Sequence, residues 1–391
     1  EGVASLFKKI KMTKGNAMAD FPVSGHVATG FEPVREAFAA NFADDGELGA
    51  GFAVLQDGEL IVDLLGGWAD RQKTRAWDAQ TLVPVYSTTK GISALVLAAL
   101  VADLEAGYET RVAEIWPEFA ANGKEAVTIG ELVSHQAGLP GFIHEIDPDL
   151  WLDPPACAAA IAELAPLWPP GSAHGYHPLT WGYLVGELAL RISGQTLGTW
   201  LRENVCAPNG IDFHIGLPAS EHARCADIRR PTALPELGEM TEPKRAAFGT
   251  KWSSPNRGGA IWREIEIPSA NGHGTAASIA ALYDGYAHGG AVSGKAIVPA
   301  GTFEALVRSR VDGPDLVLNM STSFGAGIMR NTHGLFGPNP ATVGHCGWGG
   351  SMAIADPDRG LTCAYVMNKQ SNVLVGDPRA VRLVNSVYGC L

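Results

Sequence analysis

Ser87-Thr88-Thr89-Lys90 is the run whose residue types and spacing suit covalent chemistry. A serine hydroxyl becomes a nucleophile when a base takes its proton and donors receive the oxyanion. On a helix, residues three apart share a face, so the Lys90 amine reaches the Ser87 hydroxyl. The apolar residues that follow predict a buried helix over 91–106, stopped by Gly107. Ser87 begins that helix, where the first N–H groups are unpaired and the dipole is positive. Burial and that positive end lower a lysine's pKa, so its amine can share or accept a proton. An N-cap serine beside a solvated lysine is the plain alternative. Tyr86 and the apolar helix argue against it, because they would bury Lys90. No serine sits at the centre of a G-x-S-x-G run, which argues against a nucleophile elbow.

The elements that must position these residues lie at both ends of the chain. Phe31, Val34, Phe38 and Phe42 fall at helical spacing over 31–43. Gly51 to Leu55 and Leu60 to Leu65 flank an Asp57-Gly58 turn, a hairpin signal. A second hairpin pairs Ser351 to Ala355 with Leu361 to Val366, and Phe324 to Met329 supplies a fifth strand. Val381, Val384, Val387 and Leu391 mark a terminal helix. Between these ends, 179–203 reads as helical, and 135–175 as long Pro-, Gly- and Trp-rich loops of the kind that wall a site. The fold class is therefore α/β (α+β): an antiparallel sheet of about five strands flanked by helices, with a mainly helical region inserted. Residues 18–90 and 275–391 form the α/β part and 91–274 the helical part, with the site at their junction. Residues 1–17 read as an appended extension, with Met18 as the natural start.

Further along, Glu131 to Pro140 reads ELVSHQAGLP, 170–180 runs from Pro170-Gly171 to Gly175-Tyr176-His177-Pro178-Leu179-Thr180, and 344–351 reads GHCGWGGS. With the Ser87 run, these resemble in order the motifs of class C β-lactamases, penicillin-binding proteins and family VIII carboxylesterases, over most of residues 30–390. The resemblance implies a β-lactamase/transpeptidase-like fold. It also implies that Tyr176 acts with Lys90 as general base for Ser87 and returns the proton to the leaving group. A phenol with an ordinary pKa of about 10 needs a neighbouring cation to do so near neutrality. The Ser87 N–H and one N–H of the third motif would form the oxyanion hole. Two registers are open there: His345-Cys346-Gly347 or Trp348-Gly349-Gly350. The second N–H comes from Trp348 or Ser351, with Ser351 preferred, and Gly347, Gly349 and Gly350 suit close backbone approach. Trp348 would wall the acyl or alcohol group. His345 is either a substrate contact or a strand residue with a satisfied hydrogen bond.

Two departures narrow the substrate. Pro178 stands where lactamases and peptidases carry an amide-binding Asn, and neither register supplies their carboxylate-binding lysine. Both losses favour an ester without a free carboxylate. The expected function is thus a serine carboxylesterase for short-chain esters. The alternatives are a β-lactamase or D-amino peptidase, an acyltransferase, and a non-catalytic binding or sensor module. Asn271-Gly272-His273-Gly274-Thr275 is a glycine-punctuated turn before a helix, and His273 is a further candidate for the pocket wall.

Composition bounds the rest. A net charge of −12 argues against nucleic acid and against an anionic membrane surface. No uninterrupted apolar run reaches 18 residues, and residues 1–17 lack a signal-peptide plan. Cys157, Cys206, Cys225, Cys346, Cys363 and Cys390 show no C-x-x-C spacing, so free thiols in a reducing, cytoplasmic compartment are expected. The expected partner is a small-molecule ester, with no metal and no organic cofactor. Nothing in the pattern encodes an oligomeric state.

Overall fold

The computed structural model describes residues 22–233, 235–255 and 259–391. The extension expected at 1–17 and the start at Met18 lie outside the described residues.

The strands are β1 (Val23–Val27), β2 (Gly49–Gln56), β3 (Glu59–Gly67), β4 (Val311–Pro314), β5 (Ser321–Phe324), β6 (Met329–Arg330), β7 (Val343–Cys346), β8 (Met352–Asp356) and β9 (Leu361–Met367). Among the described residues these nine form one sheet in the order β1-β3-β2-β9-β8-β7-β6-β5-β4. Every neighbouring pair is antiparallel. The sheet is built from both chain ends, as its hairpin signals require. Asp57 and Gly58 both take positive φ (50° and 79°), the mirror-image turn whose twist suits a tight hairpin. The sheet has nine strands rather than about five because it also takes in β7, the third-motif strand, and the edge strands β1 and β4, which show little apolar alternation. The strand expected from Phe324 to Met329 is also two, since the glycine-punctuated turn 325–328 separates β5 from β6.

The pleat sends alternate residues into two cores. In β2, Phe52 and Val54 join one and Ala53 and Leu55 the other. The helices that cover the faces are α1 (Glu32–Asp45), α2 (Thr89–Val101), α3 (Thr180–Ser193), α4 (Ala276–Ala287) and α5 (Pro378–Tyr388). Phe38 and Phe42 of α1 meet Leu383, Val384 and Val387 of α5 on the first face. α2 and α4 fill the second, with α3 packed beyond α2. Each fully buried Phe, Leu or Val there contributes about 1.5–3 kcal/mol.

Three expected boundaries move. α2 ends at Val101 rather than running to Ala106, because the bonds tighten there to three-residue turns (Asp103 N to Leu100 O, Leu104 N to Val101 O). Gly107, at φ 54°, opens a separate 3₁₀ turn. The helix read over 179–203 stops at Gly194, whose left-handed φ of 74° caps α3, and a new helix starts at Leu197. Leu391 lies beyond the end of α5. The segment read as mainly helical also holds two short strands, Phe213–His214 and His273–Gly274, which join Val83–Pro84 in a three-stranded sheet. Among the described residues no helix is long and apolar enough to cross a membrane.

Candidate active site

Ser87 does not stand in α2 itself. It lies in a 3₁₀ turn, Tyr86–Thr88, that leads into the helix, and Tyr86 holds a positive φ of 46°. Strain of that kind persists where surrounding bonds over-determine it. Here the Tyr283 hydroxyl of α4 donates to Thr88 O at 2.7 Å, and Gly272 N donates to Thr89 Oγ1 at 3.0 Å. Lys90 follows one turn on and is fully buried. Its Nζ lies 3.2 Å from Ser87 Oγ and donates to Pro178 O at 2.7 Å and Ser269 O at 3.2 Å. Burial holds its pKa well below the ordinary lysine value.

Tyr176 arrives from the 135–178 loops. Its N–H donates to Asp315 Oδ1 at 2.9 Å, its ring stacks on Phe324 with centroids 6.2 Å apart, and the His135 ring lies 4.9 Å away. The phenol shares a hydrogen bond with Ser87, and the Lys90 ammonium position is 4.7 Å from the ring centroid. Burial pushes the phenol's pKa up, against the pull of the Ser87 bond. Ser87, Lys90 and Tyr176 therefore meet at one point.

Two buried histidines brace the Tyr176 segment. His177 Nδ1 donates to Gly175 O at 2.6 Å, which leaves Nε2 to accept from Leu139 N at 2.9 Å. The His177 N–H donates to His135 Nδ1 at 3.1 Å. Burial pushes His177 down to about 3 and lowers His135 as well, so both rings are neutral at physiological pH.

The third-motif residues divide. The cavity beside Ser87, about 240 Å³, is walled by His345, Cys346 and Trp348 together with Tyr86, Phe248 and Trp262. Gly349, Gly350 and Ser351 are not on that wall. Ser351 turns inward, donating to Val85 O at 2.8 Å with Thr88 Oγ1 at 3.0 Å, and so ties β8 to the Ser87 turn. Gly347 must be glycine, since a Cβ there would stand 2.2 Å from Val85 O. Gly350 packs on Asp377 and Arg379, and Arg379 donates to Gly349 O at 3.0 Å. The Trp348 N–H meets no acceptor among the described residues. His345 Nδ1 lies 2.8 Å from Cys346 O, and burial pushes the ring down to about 3.

His273 is one layer back from the pocket. It sits in the three-stranded sheet, edge-on to Trp262 at 5.7 Å, with Nδ1 on Asn271 O, and Trp262 rather than His273 faces the cavity. Sequence reasoning missed Asp315, whose carboxylate collects the N–H groups of Tyr176, Val317 and Leu318. The Pro314-Asp315 pair is a turn signal that would have flagged it. It also missed Ser269, whose carbonyl holds Lys90. Gly182 of α3 touches Ser269: a Cβ at Gly182 would stand 2.5 Å from Ser269 N. Gly182→Ala is expected to shift the Ser269 carbonyl off Lys90 and lower kcat about tenfold or more, as a misplacement of under an ångström does. Steady-state kinetics on a chromogenic ester, with circular dichroism as the fold control, checks it.

The Beta-lactamase family model matches residues 34–386. The chain belongs to that family. It is 34% identical to the esterase/beta-lactamase LipL of Mycobacterium tuberculosis over 88% of this chain and 82% of that one. A penicillin-binding protein homologue from Caulobacter crescentus superposes with a TM-score of 0.92 at 51% identity, covering 95% of this chain and 100% of the other. A family VIII carboxylesterase superposes at 0.88 with 38% identity, again over 95% and 100%. The protein is a serine hydrolase of the esterase/beta-lactamase type, and its antiparallel sheet with flanking helices is the fold of that superfamily.

Proposed function

We propose that this family member is a carboxylesterase for uncharged short-chain esters, working through an acyl-enzyme on Ser87. One observation carries the reading. Among the described residues, the cavity wall beside Ser87 bears no Asp, Glu, Lys or Arg. A substrate carboxylate desolvated against those residues would find no counter-ion among them, which is costly. Pro178, which offers no side-chain donor, and the neutral His345 stand where the lactamase pattern has Asn and Lys.

The geometry supports a route for each proton. An unprotonated Lys90 gives its two N–H groups to Pro178 O and Ser269 O, which leaves its lone pair for the Ser87 proton. Ser87 Oγ then attacks the ester carbonyl. The oxyanion is received by the Ser87 N–H and, in the register His345-Cys346-Gly347, by the unpartnered Trp348 N–H rather than by Ser351. One such donor is worth about 2.7–4 kcal/mol. Tyr176 gives its own phenol proton to the departing alkoxide and regains one from the Lys90 ammonium, and a water activated by the same pair releases the acid. A reducing, cytoplasmic compartment belongs to the same proposal, since all six cysteines are free and five are buried.

The test compares kcat/KM for p-nitrophenyl butyrate with that for nitrocefin. The ester should lead by about a hundredfold or more, because a site lacking a lactam's polar partners loses that much. A phosphonate should add once, on the Ser87 peptide, by mass. A lead for nitrocefin, or an adduct elsewhere, overturns the proposal.

A further inference from the structure

Tyr176 stands in no helix or strand, so its place beside Ser87 is set by what grips its loop. The β4–β5 hairpin supplies the grip. Asp315, the first residue of its turn, is almost fully buried. Oδ1 accepts from the N–H groups of Tyr176 at 2.9 Å and of Val317 and Leu318 at 2.8 Å each. Oδ2 accepts from the Thr322 hydroxyl at 3.1 Å, and His174 Nε2 lies 3.0 Å from that hydroxyl. Four donors meet the carboxyl, which suits its ionised, acceptor-only form. Leu316 N donates to His174 O at 3.1 Å, two residues before Tyr176. Phe324, at the end of β5, stacks on the Tyr176 ring. One hairpin thus holds the tyrosine by its backbone and by its ring.

That grip matters for one step. As the ester C–O bond breaks, the phenol O–H proton of Tyr176 goes to the alkoxide oxygen, and the phenolate takes a proton from the Lys90 ammonium. A donor misplaced by a fraction of an ångström loses much of that transfer. The alkoxide of an ordinary alcohol is too basic to depart without a proton, whereas p-nitrophenolate departs without one. We propose that Asp315 is the positioning residue for leaving-group protonation, fixing Tyr176 through its backbone so that esters of ordinary, unactivated alcohols are substrates. This rests on the esterase reading above and adds to it the class of leaving group.

The test compares kcat/KM for p-nitrophenyl butyrate and ethyl butyrate, which share an acyl group and differ in the need for a proton. Asp315→Ala should lower the ethyl ester about a hundredfold and the p-nitrophenyl ester far less, so that their ratio rises about tenfold or more. Asp315→Asn, which keeps an oxygen of the same shape for the Tyr176 N–H, should hold the ratio near that of the unaltered protein. A purely structural role for Asp315 would lower both esters alike and leave the ratio unmoved. If Asp315→Ala does not fold, Thr322→Val decides. It removes one donor from Oδ2 at nearly constant volume, and the ratio should rise about threefold. An unmoved ratio in the variant that folds, or a shift in Asp315→Asn as large as in Asp315→Ala, overturns the proposal. An unaltered protein that turns over the p-nitrophenyl ester alone also overturns it. Turnover of both esters with an unmoved ratio sinks this inference alone, whereas two inert esters sink the esterase reading with it.

Discussion

Ser87→Ala and Lys90→Met each lower kcat on a short chromogenic ester by about 10⁴-fold or more, with circular dichroism unchanged. The two losses do not multiply in the double variant, because the residues act as one unit, with Lys90 Nζ 3.2 Å from Ser87 Oγ. The pH profile separates their roles. Burial holds Lys90 well below the ordinary lysine value, which suits the amine to the role of proton acceptor for Ser87. As pH falls through that lowered value the amine gains a proton, its lone pair is lost, and kcat/KM falls with it. His177 and His345 stand at about 3, and burial keeps Tyr176 a neutral phenol. The expected profile rises as the amine loses its proton, and Tyr176, whose pKa burial pushes up, does not turn it into a bell. A bell-shaped profile, or more than a few per cent of activity in Lys90→Met, would remove Lys90 from the role of base.

The centre of this site was legible because its residues are local to one another in sequence or to one motif. Ser87 and Lys90 share a turn, and the apolar stretch after them announces that Lys90 is buried. What could not be read is what the chain brings in from a distance. Ser269 and Pro178 hold Lys90 through backbone carbonyls, which any residue type provides, so composition carries no trace of them. The third motif was legible as a glycine-rich turn but not in register. Choosing between His345-Cys346-Gly347 and Trp348-Gly349-Gly350 depends on which way the β7–β8 turn faces, and that is set by Ser351 on Val85 and by Arg379 on Gly349. His273 misled for the converse reason: its glycines serve a crowded strand pairing, where a Cβ at Gly272 would stand 2.6 Å from Thr89 Oγ1. In the sheet, long alternating strands were readable, and the edge and two-residue strands were not, because pairing partners rather than their own residues define them.

Arg379→Met should produce the largest loss of stability of any single change outside the catalytic group, about 3–5 kcal/mol. The Arg379 guanidinium is almost fully buried. It donates to Glu47 Oε2 at 2.7 Å, to both Asp377 oxygens at 3.0 and 2.9 Å, and to Lys369 O and Gly349 O at 2.9 and 3.0 Å. One cation thus serves two buried carboxylates and two carbonyls, and methionine fills the volume while satisfying none of them. Burial already pushes the Glu47 carboxyl up against the pull of Arg379 and of the Tyr365 hydroxyl, so removing the cation raises it further. The sign of the pH dependence follows. A group whose folded pKa exceeds its unfolded value supports the fold below the unfolded value and ceases to as pH rises through the folded one. The deficit of Arg379→Met relative to the unaltered protein is therefore smallest near pH 5 and widens toward neutrality, as Glu47 is forced to ionise without a partner. Glu47→Gln in the Arg379→Met background should recover part of the loss at neutral pH and little at pH 5. Urea unfolding midpoints at the two pH values measure all four corners of this cycle. Because Arg379 also holds the carbonyl of Gly349, the turn carrying Trp348 loosens with it, and kcat on a short ester should fall about tenfold under conditions where the variant is still folded. A pH-independent deficit, or full activity in the folded variant, would show that the buried carboxylates find other partners and that the turn does not depend on Arg379.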